Sequence, residues 1–287
     1  MGWTGLAGGL LCTLDMPIPL EDNFADIIGK AQRGLGLSDS AVGSRADLPA
    51  EAVQRLRAGY FDAGAVEAVA VVLGLDGRAL VELASYAPEE VGEFEGLAQF
   101  NTPFGEITVN SYLAWDPGTR DAAAFDTGAD CTGMLEQVQG AGLRLRFIFL
   151  THTHGDHIFD MDRLRHATGA PVFVSSREAI EGAESIEAGR EFSLGALRIG
   201  SRQTWGHSRG GMTWVISGLG RPVAVVGDAL FAGSMGGGMV SYADALRTNR
   251  EEIFSLPDDT ILCPGHGPMT SVGEERRHNP FFAGGGF

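Results

Sequence analysis

The sequence predicts an α+β protein, with a small all-α part over residues 1–92 and a strand-rich part over residues 93–287. Three observations carry this reading. Up to about residue 86 the chain is rich in alanine, with apolar residues at helical spacing. Beyond about residue 100 strand-like runs alternate with turn residues. One of those runs, Phe147–Leu150, is apolar on both faces and leads straight into THTHGDHI, where His152, His154 and His157 supply three of the chain's seven histidines.

Length and composition fit this division. The 287 residues can bury a sizeable core. The net charge of −16 disfavours nucleic acid and anionic lipid as partners. No stretch reaches the ~18 apolar residues of a membrane span, so no membrane partner is expected. The three cysteines, Cys12, Cys131 and Cys263, are scattered and odd in number, which favours a reducing, cytoplasmic setting over a disulfide framework. Residues 1–15 lack the basic region of a signal peptide and read as a leader, or as the product of an upstream start with Met16 as the rival. The chain has a single lysine, Lys30.

In the first part, FADIIGKAQRGLGLS predicts a helix closed by glycine. A second helix starts at a Ser38 or Ser40 cap, and Pro49 suits the start of a third, AEAVQRLRAG. AGAVEAVAVVLGL and DGRALVELA complete a compact bundle, with Val66, Val69, Ala70 and Leu73 on one face. The run LSDSAVGSRADLPAEAVQRLRAG resembles the helix-turn-helix of phage-repressor-like domains. It departs from them at the residues that would contact DNA: Asp39 replaces the usual glutamine, and Arg55 and Arg57 stand amid net negative charge. The helical part is therefore expected to be a degenerate relative that caps the second part, covers a site or builds a homo-oligomer.

In the second part TVNSYLAW and DAAAFDTGAD predict strands, followed by LRLRFIFL. His152 and His154 are two apart at a strand end and can point the same way. Gly155 lets the chain turn before Asp156 and His157. Imidazole and carboxylate together suit zinc, iron or manganese. So many donors on one loop exceed what a single tetrahedral ion with an open position needs, which suggests two ions. Further candidates follow strand-like runs downstream: His207 in TWGHSRGG, Asp228 after VAVVG and His266 in TILCPGHGP. His166 and His278 read as ordinary surface residues.

The pattern H-x-H-x-D-H with the later histidine, Gly-Asp and final histidine resembles the metallo-β-lactamase superfamily over roughly residues 95–287. That resemblance implies a four-layer αββα sandwich with a two-metal site at one edge of the sheets. It implies that His152, His154 and His207 hold one ion, that Asp156, His157 and His266 hold the other, and that Asp228 bridges both. The cofactors expected are two divalent ions, zinc first, with iron or manganese as alternatives. Two close cations would give a bridging hydroxide near neutral pH, and Asp156 would aim it as the catalytic carboxylate.

GDALFAGSMGG and PGHGPMTSVGEERRHNPFF are similar to the glyoxalase II-type thioesterases, which implies hydrolysis of a small-molecule thioester such as S-D-lactoylglutathione, or of a related ester. Ala229 and Gly236-Gly237-Gly238 depart from that family, and the second part has no lysine to grip glutathione carboxylates. Arg209, Arg276 and Arg277 are the candidate substitutes. Gly227-Asp228-Ala229-Leu230 also resembles the one-iron persulfide dioxygenases, the alternative reading, with a lactonase as a further one. A transcription regulator with an inert metal fold is the reading from a different class.

Overall fold

The computed structural model describes residues 17–92 and 94–284. The expected leader and Cys12 lie outside these residues.

The helical part contains α1 (Phe24–Gly34), α2 (Asp39–Ala46), α3 (Ala50–Arg57), α4 (Ala63–Leu73) and α5 (Gly77–Glu82). Side-chain caps start most of them. Asn23 and Asp26 form a reciprocal capping box on α1, and Ser38 accepts from Ala41 N at α2. Pro49, lacking an N–H, occupies the cap position of α3. α2 and α3 are the helices of the run that resembles a helix-turn-helix. Arg55 and Arg57 are engaged within the protein, Arg57 with Asp39 at 3.3 Å and Arg55 over the Tyr60 ring at 4.8 Å.

The second part runs β1 (Leu97–Phe104), β2 (Ile107–Trp115), β3 (Asp121–Phe125), α6 (Thr132–Gly140), β4 (Arg144–Phe149), α7 (Gly155–Ile158), α8 (Met161–Thr168), β5 (Val172–Ser175) and β6 (Glu184–Ile186). It continues through β7 (Glu191–Leu194), β8 (Leu197–Gln203), β9 (Met212–Ser217), β10 (Val223–Gly227), α9 (Tyr242–Thr248), β11 (Ile261–Pro264), β12 (Thr270–Ser271) and α10 (Val272–His278). Among the described residues the strands form two six-stranded sheets, ordered β1-β2-β3-β4-β5-β6 and β12-β11-β10-β9-β8-β7. Strand β1 was not anticipated. It joins β2 through a tight hairpin in which Gly105 takes a φ of 64°.

The layers follow from strand alternation. On β10, Val223 and Val225 face Phe149, Trp214 and Cys263 between the sheets. Ala224 and Val226 face outward, into a cluster with Tyr242, Phe254 and Phe281. On β4, Phe149 points between the sheets and Ile148 points to the opposite face, with Met134 of α6 and Leu164 of α8. This explains why Phe147–Leu150 is apolar throughout. The result is the four-layer αββα sandwich. The interior of the helical part is continuous with the sandwich. Ile27, Val53, Leu56, Val69 and Leu80 share a single cluster with Val226, Leu262 and Phe282 on the outer face of the second sheet. Contact is close enough that a side chain at Gly34 of α1 would overlap the Tyr242 ring.

Parallel pairing of β3 with β4, and of β10 with β11, sends their carboxyl ends to the same side of the molecule. The turns that follow these strands carry the candidate site.

Candidate metal centre

All seven candidate donors come together at this edge. His152, His154, His207 and Asp228 present donor atoms within 4.8 Å of one another, and Asp156, His157 and His266 form a second such group. The two groups meet at Asp228. Its carboxylate lies 3.2 Å from His157 Nε2, 3.4 Å from His207 Nε2, 3.5 Å from His266 Nε2 and 3.9 Å from His152 Nε2. His154 Nδ1 lies 3.0 Å from both His152 Nε2 and His207 Nε2.

The remaining ring nitrogens explain this convergence. His157 Nδ1–H donates to Asp126 at 2.8 Å, His266 Nδ1–H to the Thr108 carbonyl at 2.6 Å and His207 Nδ1–H to the Gly237 carbonyl at 3.0 Å. Thr151 Oγ1 donates to Asp126 at 2.7 Å and can accept from His152 Nδ1–H at 3.0 Å. Each anchor engages Nδ1 and turns Nε2 toward the centre, the orientation metal-binding histidines adopt. Asp126 is the functional residue that the sequence reading passed over. Glu178 adds support by accepting from Thr153 Oγ1 at 3.2 Å and Arg209 N at 2.7 Å, which ties the loop of His152–His154 to that of His207.

Close approach leaves no room for a side chain at one turn. A Cβ on Gly265 would lie 2.1 Å from Asp228 Oδ1 and 2.5 Å from His157 Cε1.

The electrostatics are those of a tightly coupled cluster. Burial opposes ionisation of Asp228, but His157 and His266 hold its carboxyl well below the usual range. Burial alone would lower His157, yet Asp228 and Asp126 carry it up to about 10. His266, opposed by burial in the same way, is raised to about 11 by Asp156 and Asp228. Burial against the other rings drives His152 down. Asp156 is lowered despite its burial, chiefly by His266 at 3.3 Å.

The donor set fits a metal pair. Nε2 of His157 and Oδ1 of Asp228 are buried and face each other at 3.2 Å without a well-formed hydrogen bond, two donor atoms that a cation between them would satisfy. Histidine nitrogens and carboxylate oxygens suit zinc, iron and manganese alike.

Other candidates take different places. His166 is exposed on α8, and His278 stacks on Tyr86 with ring centroids 5.1 Å apart. Arg276 pairs with Asp258 at 2.9 Å and Arg277 pairs with Glu274, whereas Arg209 is exposed beside the His207 loop. Cys131 and Cys263 are buried free thiols, and burial pushes both upward, which favours the neutral thiol over the thiolate.

The comparisons with known proteins agree with this site. The chain is 28% identical over 208 residues to a probable metallo-hydrolase of Bacillus subtilis, covering 63% of this chain and 96% of that one. It is 27% identical over 204 residues to the hydroxyacylglutathione hydrolase GloC of Haemophilus influenzae, covering 62% and 95%. Among solved structures, ETHE1 from Myxococcus xanthus superposes with a TM-score of 0.58 at 29% identity, covering 66% of this chain and 86% of that one. The family model described as the metallo-beta-lactamase superfamily matches residues 104–266, a span that holds every candidate donor, and the chain belongs to that superfamily.

Proposed function

We propose that the protein is a binuclear metallohydrolase that cleaves a small-molecule thioester, in the manner of glyoxalase II, or a related ester. The observation that carries this reading is the pair of donor groups meeting at Asp228. His152, His154 and His207 would hold one ion, Asp156, His157 and His266 the other, and Asp228 both. Zinc is the first choice, with iron and manganese suited as well. Two such ions would supply a nucleophilic hydroxide from water near neutral pH and polarise the scissile carbonyl.

The protein's own groups set the rest. Asp156 is partly open to solvent and lies 3.3 Å from His266 Nε2, so its carboxylate can orient an attacking water from the solvent side. Exposed apolar residues flank the anchors: Ile107 precedes Thr108, Phe159 follows His157 by two residues, and Met239 follows Gly237 by two. These suit an acyl group better than a polyanion, and the net charge of −16 points away from nucleic acid. The Haemophilus relative's hydroxyacylglutathione hydrolase name supports the thioester class. Cytoplasmic placement fits the buried free thiols, and no helix among the described residues is long and apolar enough to cross a membrane.

The test is metal content together with a thioester panel. We expect about two divalent ions per chain and release of thiol from a thioester. His154→Ala should lose metal and most activity while keeping its circular dichroism spectrum. Parent-level hydrolysis by that variant would sink the assignment. A single iron per chain, with oxygen uptake on glutathione persulfide, would instead establish the dioxygenase reading carried by Gly227–Leu230. Turnover of lactones alone would move the substrate class and leave the site intact.

A further inference from the structure

We propose that the Asp22–Lys30 ion pair of the helical part positions His207, and so sets the affinity of the group His152–His154–His207–Asp228 for its ion. This inference rests on the metal-centre reading above. It gives the helical part a specific task at the site, although neither residue is among the candidate metal ligands.

The connection runs through the loop after β10. Asp228 begins this loop, and Gly237, nine residues on, offers the carbonyl that accepts from His207 Nδ1–H at 3.0 Å. Gly236-Gly237-Gly238 has little hold of its own beyond the Met239 N–H that donates to the Gly237 carbonyl at 2.8 Å, because three successive glycines have the widest backbone freedom. Its position must be imposed from both flanks. On the far flank, Val240 N and Ser241 N donate to the Gly206 carbonyl at 2.9 and 3.0 Å. On the near flank the sandwich holds Ala229 through Asn249, Gly233 through Glu275 and the Ser234 carbonyl through Asn279.

The last hold before the glycines comes from the helical part. Lys30 Nζ donates to the Met235 carbonyl at 2.9 Å and stands 5.0 Å from the centroid of the Phe231 ring. Asp22 pairs with Lys30 and accepts from Ser234 Oγ at 2.5 Å. Both partners are largely buried, so the bonds are not exchanged freely with water. Little slack remains beyond Met235: a Cβ on Gly236 would lie 1.9 Å from the Asp228 carbonyl and 2.8 Å from His207 Nδ1. A shift at Met235 therefore reaches the Gly237 carbonyl and turns the His207 ring.

The effect should be selective. His152, His157 and His266 take their anchors from Thr151, Asp126 and Thr108, all within the sandwich. His207 alone among these four rings depends on the glycine stretch.

The experiment is chelator competition with zinc on full-length parent, Lys30→Met, Lys30→Arg and Ser234→Ala proteins. Methionine keeps the stem against Phe231 and removes the charge and the donor. We expect Lys30→Met to weaken one ion about 10- to 100-fold, as loss of an outer hydrogen-bond partner does, and to leave the other at parent affinity. Lys30→Arg should restore part of the loss. Ser234→Ala, the milder variant if Lys30→Met fails to fold, should weaken the same ion by a smaller factor. Equal weakening of both ions, or none in either variant, would overturn the proposal. A parent protein that binds two ions with variants identical to it defeats this inference alone. A parent that binds none defeats the metal-centre reading and this inference with it.

Discussion

Asp126 accepts three hydrogen bonds, from Thr151 N and Thr151 Oγ1 at 2.7 Å each and from His157 Nδ1 at 2.8 Å. It does so from a left-handed backbone conformation with φ 56°, which aspartate and asparagine tolerate better than other side chains. Asparagine there would meet the backbone requirement and fail the chemical one, since its amide end is a donor facing donors. Asp126→Asn should therefore keep the fold and weaken metal binding about 10- to 100-fold, with kcat/KM falling alongside. Zinc affinity at the parent value would remove Asp126 from the site. Neither its charge nor its place in FDTG separates this residue from the many aspartates that merely start turns. The clustering of the seven candidate donors was legible because three histidines and an aspartate on one strand-end turn have few other uses. Asp126 was not, because it acts only through residues that the fold brings beside it.

At the scale of elements, α10 clamps the loop that leads away from the centre. Glu275 is fully buried and accepts from Asn279 Nδ2 and Thr270 Oγ1 at 2.8 Å, Gly233 N at 2.9 Å and Tyr86 Oη at 3.1 Å. Burial pushes its carboxyl up to about 7 in spite of these donors. An unfolded glutamate titrates near ~4.3, so between the two values the unfolded chain has released a proton that the folded chain keeps. The stability contribution is complete below ~4.3 and is lost as pH rises through the folded value. The parent should lose more stability than Glu275→Gln between about pH 5 and about pH 8, read from urea midpoints. Parallel curves for the two proteins would refute the elevated value. Elements differed in how well they could be read. β10 and the second half of β4 announce themselves because both their faces are covered, whereas β1 carries Asn101 and Pro103 and is only half-buried at most positions, so its pattern resembles a loop.

For the molecule as a whole, the helical part and the sandwich share one continuous apolar cluster. Ile27, Val53, Leu56 and Val69 pack in the same cluster as Val226, Leu262, Phe281 and Phe282. Each large apolar side chain so buried contributes roughly 1.5–3 kcal/mol. A chain starting at residue 94 would expose that face as a wide apolar patch. It should be insoluble or bind hydrophobic dyes strongly, and a monomeric, cooperatively melting product would contradict the shared core. The helical spacing of residues 17–85 was legible, but which face would dock, and on what, was not. That depends on Ala224 and Val226 pointing outward from a strand more than a hundred residues away.

The single lysine has a chemical consequence of its own. Twenty of the chain's twenty-one Lys and Arg residues are guanidinium cations, and the one side-chain amine is held in an ion pair beneath the Met235 carbonyl. Amine-directed acylating reagents, which need a free and unprotonated amine, find no such side chain on the folded surface. Lys30 gains reactivity when its bonds to Asp22 and the Met235 carbonyl open, so the rate of its acylation follows those openings.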